Sequence, residues 1–476
     1  MRKKFYITTP IYYVNDKPHI GHAYTTIAAD VLARYYRQKG DEVFFLTGTD
    51  EHGDKVAKSA EENNMGVEKF VDQNATEFQK TFANLKISND IFMRTTLREH
   101  NESVQIFMKK LHAAGAIYQS DYEGLYCRGC EDFYTEKDLA EGLCPVHKVK
   151  PELVKEKNWF FKLEEYLPRV EQMIESGEMI IEPASRKNEV LGLFKQGLKD
   201  FSVTRERVKW GLDFPIDSSQ KIYVWVEALQ NYISAIGYGR DDKQFNKWWP
   251  ANVHLMAKDI IKFHAIYWPA MLIAVGLKPP QKIFAHGFFS LNGQKMSKTL
   301  GNVIDPNAMV EQYGVDGTRY LLLSQFPFGQ DGDIKESLFK EKYNADLANN
   351  LGNLVSRVFN MIEQYCDGRI PKQLPSPIYL EMIGEKIEQL EFDEALKNIW
   401  QAIAKANQLI DSNEPWKMAK DANKKEELNE LLSQLASFLS DLVPLLNPFM
   451  PDVAASIVGG LNADKIIKGE PLFKRL

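Results

Sequence analysis

Two histidines three residues apart, His19 and His22, stand in the run Tyr12-Tyr13-Val14-Asn15-Asp16-Lys17-Pro18-His19-Ile20-Gly21-His22. The apolar run Phe5 to Ile11 before it reads as a strand. After it, Ile27, Val31, Leu32 and Tyr35 recur at helical spacing up to Lys39, with Gly40 as the stop signal. A loop leading from a strand into a helix is an anion site, because unpaired N–H groups and the positive end of the helix dipole face the ligand. The two imidazoles add donors, and Gly21 lets backbone approach closely. This chemistry suits a triphosphate.

A second polar loop, Asn292-Gly293-Gln294-Lys295-Met296-Ser297-Lys298-Thr299, carries two lysines and a serine. Alone it would be a solvated basic turn. A third cluster, Cys127-Arg128-Gly129-Cys130 and Cys144-Pro145-Val146-His147, spells C-x2-C, thirteen residues, then C-x2-H. Each half aims two soft ligands at one point, and together they satisfy tetrahedral zinc with no open position. One structural Zn²⁺ per chain is expected. The remaining cysteine, Cys366, lies in a helical pattern and reads as a buried apolar residue.

Strand and helix patterns alternate through residues 1–116: a strand at Glu42 to Leu46 running into Thr47-Gly48-Thr49-Asp50-Glu51-His52-Gly53, then helices at Lys55 to Asn63, Val67 to Leu85 and Glu99 to Ala114. Such alternation implies a Rossmann-like α/β fold with a doubly wound parallel sheet. No G-x-G-x-x-G follows the first strand and no Walker lysine motif occurs, so neither a dinucleotide fold nor a P-loop is indicated. Residues 117–224 break the pattern with short strands and turns, as an inserted connective domain holding the zinc knuckle (127–147). Strand and helix signals return over 225–294, with Tyr223 to Val226 read as a strand. Residues 295–345 hold the lysine loop and the segment after it, and 346–476 read as an all-α helical bundle.

The chain has 476 residues, 44% of them hydrophobic, and a formal net charge of −6. Several domains with sizeable cores are expected, and nucleic acid would have to meet local basic patches, not an overall field. No apolar run is long enough to span a bilayer, and the apolar run after Met1-Arg2-Lys3-Lys4 ends too soon for a signal peptide. Four cysteines in a chain of this length do not make a disulfide scaffold. A cytoplasmic protein without a membrane partner is expected.

The His19-Ile20-Gly21-His22 and Lys295-Met296-Ser297-Lys298-Thr299 segments are similar to the two signatures of class I aminoacyl-tRNA synthetases, with Thr299 in place of a final serine. With the single knuckle, Tyr223-Val224-Trp225-Val226-Glu227-Ala228 and Glu414-Pro415-Trp416, the chain resembles methionyl-tRNA synthetases of the one-zinc type over nearly its whole length. That resemblance implies activation of L-methionine by ATP with Mg²⁺, then transfer to tRNA(Met), including the initiator. It makes His19, His22, Lys295 and Lys298 catalytic, with Gly21 beside them at ATP. It places methionine against Pro10, Ile11, Tyr13, Asp50, Trp225, Ala228, Leu229, Tyr232, Ile260 and His264, Asp50 pairing with the ammonium. Leu229 and Ala257 depart from residues common in the family, and His52 reads as a loop-shaping residue. Asn353, Arg357 and Trp416 would read the anticodon. A monomer is expected, with a dimer as the alternative. The rival readings are another class I synthetase and a catalytically inactive zinc-containing tRNA-binding paralogue.

Overall fold

The computed structural model describes residues 2–127, 132–134, 136, 139–145, 148–295, 303–380 and 382–476. The chain divides into two compact units. One is Met1–Pro18, Glu42–Phe82 and Asn89–His286; the other is His19–Asp41, Ala83–Ser88 and Gly287–Leu476.

The first unit is built on a six-stranded parallel sheet of β1 (Lys4–Tyr13), β2 (Glu42–Asp50), β3 (Ile91–Arg94), β4 (Ile180–Glu182), β5 (Val253–Ala257) and β6 (Lys282–His286), in the order β3-β2-β1-β5-β6-β4. Phe5 to Pro10 are buried without a break, as expected of a parallel strand covered on both faces. The order reverses between β1 and β5, which puts the ligand crevice of such a sheet beyond their carboxyl ends. Gly48 is required where β2 meets β3, since a Cβ there would lie 2.0 Å from the Met93 carbonyl oxygen.

Range 117–224 contributes to three sheets, the smallest pairing Thr204–Arg205 with Lys221–Ile222. Its strand Ile180–Glu182 forms the edge of the parallel sheet. Its strands Ile117–Cys127 and Glu152–Phe161 pair antiparallel along almost their full length, from Ile117↔Phe161 to Tyr126↔Glu152. These are long strands where sequence patterning suggests short ones. Trp268, Tyr6, Phe107 and Phe161 are among the fully buried side chains of this unit's core.

The second unit holds α1 (Ile20–Gln38) and, after Gly287, a helical region. Its longer helices include Pro306–Leu323, interrupted by a kink at Gly314 (φ 72°), Asn353–Cys366, Phe392–Asn413, Lys425–Leu446 and Pro451–Leu461. Arg319, fully buried, joins the parts. It donates to the carbonyls of Phe449 (2.9 Å), Pro448 (2.8 Å) and Leu85 (3.2 Å) and pairs with Asp30 of α1 at 2.7 Å. Burial would raise the Asp30 carboxyl, but Arg319 and Arg34 outweigh it and hold the group below its ordinary value. Cys366 departs from expectation: it is half-buried, and its thiol donates to Asn429 Oδ1 at 3.6 Å.

Asp316 gives this unit a pH signature. Burial pushes its carboxyl up to about 6, although it accepts the Val453 N–H at 2.7 Å. The folded state therefore keeps this proton to higher pH than the unfolded chain, and stability is lost as pH rises from the ordinary carboxylate value through about 6. Asp316→Asn keeps an acceptor for Val453 without the buried charge. The expected gain is about 2–3 kcal/mol at about pH 8 and none at about pH 4, measured by denaturant unfolding at both.

Candidate active site

The end of β1 is shaped by a break in its ladder. Pairing with β2 shifts register between Thr8 and Ile11, around Pro10, which has no N–H to offer. Thr9 is anchored there by Oγ1 donating to Thr47 Oγ1 at 2.7 Å. Tyr13 and Asp50 then face each other as register partners, with Asp50 only 4% exposed.

The expected strand at Tyr223 to Val226 is a helix instead, α2 (Val224–Ala228). β-branched residues favour strands only weakly, and tertiary context decides here. The helical turn sets Trp225, Ala228, Leu229 and Tyr232 at helical spacing, where an extended strand would scatter them. Trp225 stacks on Phe263 (4.0 Å, 3°) and meets the edge of Tyr13 at 6.4 Å.

Phe263 and His264 open a π-helical turn, Phe263–Tyr267, a feature frequent at functional sites. His264 Nδ1 lies 3.0 Å from the Ile260 carbonyl, which can only accept, so Nδ1 carries the proton. Nε2 then accepts from the Tyr232 hydroxyl at 2.8 Å. Burial pushes His264 down to about 4, so the imidazole is neutral at physiological pH. Tyr13, Trp225, Tyr232, Ile260 and His264 thus form one linked wall, with Pro10, Ile11 and Asp50 at the ends of β1 and β2. An aromatic, uncharged wall with one carboxylate at its edge suits a polarisable apolar side chain bearing an ammonium.

In the second unit His19 caps α1. Its Nδ1 accepts the Gly21 N–H at 3.0 Å, and the His22 Nδ1 accepts the His19 N–H at 3.1 Å. The rings stack at 3.8 Å. With both Nδ1 atoms accepting, each neutral ring carries its proton on Nε2. The expectation that open backbone N–H groups grip the anion is corrected. The N–H groups of His22 and Ala23 go to the His19 carbonyl, that of Ile20 to the Ile304 carbonyl at 3.1 Å, and that of Gly21 to the His19 ring. The two imidazole rings and the helix dipole are the groups of this turn suited to an anion. The role of Gly21 changes accordingly: a Cβ there would lie 2.8 Å from His19 Cε1, so glycine makes room for the capping ring.

The flanks of the lysine loop meet the same helix. Tyr24 of α1 packs on Phe289 at 4.3 Å ahead of the loop, and Ile20 bonds Ile304 behind it. Gln294–Lys295 pairs antiparallel with Phe289–Leu291. The Lys295 side chain and Lys298 lie outside the described residues.

Cys127 ends its strand and Cys144 opens a tight turn closed by Lys148 N–H to the Cys144 carbonyl and Cys144 N–H to the Val149 carbonyl, both 2.8 Å. Both cysteines are fully buried. Two buried thiols, one on a turn of this kind, have the donor chemistry of a zinc knuckle; Cys130 and His147 lie outside the described residues.

Asn353 and Arg357 are on the helix Asn353–Cys366, Asn353 exposed. Arg357 pairs with Asp411 at 2.6 Å, two residues before the end of Phe392–Asn413. Glu414 then turns the chain with φ 46°, and Trp416 follows, 41% exposed. Sequence reasoning missed Glu227, fully buried and 2.6 Å from His52. A carboxylate inside the apolar run Val224 to Leu229 was the available signal.

The family whose description is tRNA synthetases class I (M) matches residues 5–150 and 134–359. The methionine–tRNA ligase of Clostridium acetobutylicum is 43% identical over 505 residues, spanning 100% of this chain and 78% of that protein. The one from Caldanaerobacter subterraneus is 45% identical, spanning 95% and 73%. The Mycobacterium tuberculosis methionyl-tRNA synthetase solved in complex with methionyl-adenylate superposes with a TM-score of 0.92 at 35% identity, covering 99% of this chain and 98% of that one. The α/β fold with its helical carboxyl-terminal region is that of a class I aminoacyl-tRNA synthetase. Within that class the chain belongs to the methionyl-tRNA synthetase family, and it is an enzyme, a methionine–tRNA ligase.

Proposed function

We propose a division of labour among this chain's residues for methionine activation and transfer. Methionine lies along Trp225, Ala228, Leu229, Tyr232, Ile260 and His264, its ammonium at Asp50 and its polar end near Pro10, Ile11 and Tyr13. The carboxylate attacks the α-phosphate of ATP and pyrophosphate leaves. His19 and His22 donate from Nε2 to phosphate oxygens as charge builds, beside Gly21, while Lys295 and Lys298 neutralise the departing pyrophosphate. Mg²⁺ rides with ATP, bound mainly by phosphates and water. A terminal ribose hydroxyl of tRNA(Met), initiator included, then attacks the methionyl carbonyl of the adenylate and AMP leaves, with the anticodon held at Asn353, Arg357 and Trp416.

The observation that carries this reading is the reciprocal histidine cap, which sets both imidazoles side by side at the start of α1 with their protons on Nε2. The test is ATP–pyrophosphate exchange with each of the twenty amino acids. Exchange with methionine alone is expected; preference for another amino acid, or no exchange, would defeat the reading.

Residues 1–116 and 225–294 serve as the two halves of the catalytic domain, 117–224 as the connective insertion, 295–345 as the loop and stem-contact region, and 346–476 as the anticodon-binding domain. The enzyme works as a cytoplasmic monomer; no helix among the described residues is long and apolar enough to cross a membrane. Zinc is held by Cys127, Cys130, Cys144 and His147 and stiffens the insertion without entering the chemistry. Cys144→Ser is expected to lose the bound zinc, read by elemental analysis, and to open 127–147 to protease while exchange persists. Zinc retained at one per chain would contradict the ligand set.

A further inference from the structure

Behind the methionine wall lies a group of buried ionisable side chains that the proposed chemistry does not use. Glu227 of α2 is fully buried, and its Oε1 sits 2.6 Å from His52 Nδ1. Glu227 follows Trp225 by two residues and precedes Leu229 by two, so it projects from the opposite side of the helix to the pocket residues. His52 follows Asp50 by two residues on the loop after β2.

That loop is clamped by many bonds, to β3 and the turn after it and to Trp210. Glu51 accepts from Thr49 Oγ1 (2.7 Å), Arg94 Nε (2.6 Å) and Thr96 Oγ1 (2.5 Å). Its backbone N–H donates to Thr95 Oγ1 at 3.0 Å, and its carbonyl accepts from Trp210 Nε1 at 2.6 Å. None of these bonds reaches α2, whereas the His52–Glu227 pair does. We infer that Glu227 and His52 are positioning residues, a buried ionic latch that sets the distance between the ammonium side of the methionine pocket, at Asp50, and its thioether side, at Trp225, Ala228 and Leu229. This inference rests on the pocket assignment proposed above.

The electrostatics agree. Burial alone would lower His52, but Glu227, with help from Glu51, outweighs it and the opposing Lys221, and the imidazole is held above its ordinary value. His100 faces Glu227 at 3.8 Å from another helix. Burial pushes His100 down to about 3, so it stays neutral, its Nδ1 within 2.8 Å of Ser234 Oγ. The charge opposite Glu227 is therefore carried by His52. A leucine would fill the same space without desolvating a carboxylate, so the pair contributes direction and spacing that apolar packing does not.

The test is methionine-dependent ATP–pyrophosphate exchange on the full chain with Glu227→Gln, His52→Gln and the double variant. Each single variant is expected to raise the methionine KM about tenfold while kcat and the ATP KM stay within about twofold, and the double variant should match either single. In the unaltered enzyme the methionine KM should climb as pH rises through the raised His52 value and the pair is lost; in Glu227→Gln it should be flat. An unchanged methionine KM, losses that multiply in the double variant, or equal damage to the ATP KM would overturn the latch. If Glu227→Gln does not fold, the His52→Gln kinetics and the pH profile of the unaltered enzyme decide it. Exchange absent from the unaltered chain would overturn the pocket assignment and the latch with it.

Discussion

His22→Ala is expected to slow methionyl-adenylate formation by about 10²–10³ while methionine affinity stays nearly constant. The side chain has two jobs at once. Its Nδ1 closes the cap by accepting the His19 N–H at 3.1 Å, which fixes its proton on Nε2 and turns that edge into a donor. Alanine removes the donor and the cap together. Glutamine at the same place satisfies the capping geometry, because Gln at the third helical position bonds the N-cap N–H, and its amide nitrogen can still donate. His22→Gln should therefore fall between the two, and comparing it with alanine separates the loss of phosphate stabilisation from the loss of helix geometry. Single-turnover pyrophosphate release measures the step directly. An unchanged rate with a raised methionine KM would show that His22 binds the amino acid and leaves the transition state alone.

The comparison of residues with fold explains where patterning succeeds. β1, α1, β2 and the helices that follow were legible because each is long enough to repeat its period several times and ends at a recognisable signal such as Gly40. Ile91–Arg94 and Ile180–Glu182 carry three or four residues each, too few for a period, and become strands only because a neighbouring strand edge accepts them. Val224 to Ala228 misled for a different reason: its β-branched residues favour extended backbone locally, while Trp225 against Phe263 and Tyr13 demands a helical turn. The site residues were legible only as candidates, because histidines, lysines and cysteines at motif spacing suggest a chemistry. Their wiring was not. Whether an N–H at the start of α1 faces a ligand or the Ile304 carbonyl depends on a segment almost three hundred residues away in sequence. The same is true of Glu227, whose partner His52 reaches it from a different strand end.

Trp416→Ala should reduce charging of tRNA(Met) by about 10–100-fold in kcat/KM and leave ATP–pyrophosphate exchange unchanged. Stacking of an unpaired base on an aromatic ring is worth about 1–3 kcal/mol, which sets that range. The fold supplies the reason to expect the two activities to separate. Glu414 at φ 46° ends the long helix abruptly, and Pro415 starts the next turn with a fixed φ of its own. Trp416 therefore emerges from this corner, and at 41% exposure it is accessible in a way that a packed core tryptophan is not. The Arg357–Asp411 pair fastens the helix bearing Asn353 beside the end of the helix that carries this corner. Arg357→Ala removes that brace as well as a donor, so it should weaken charging and loosen the bundle, whereas Trp416→Ala should leave the melting temperature almost unmoved. Parallel loss of exchange and charging in Trp416→Ala, with a lowered melting temperature, would instead make the tryptophan a packing residue and place anticodon reading elsewhere on the helical region.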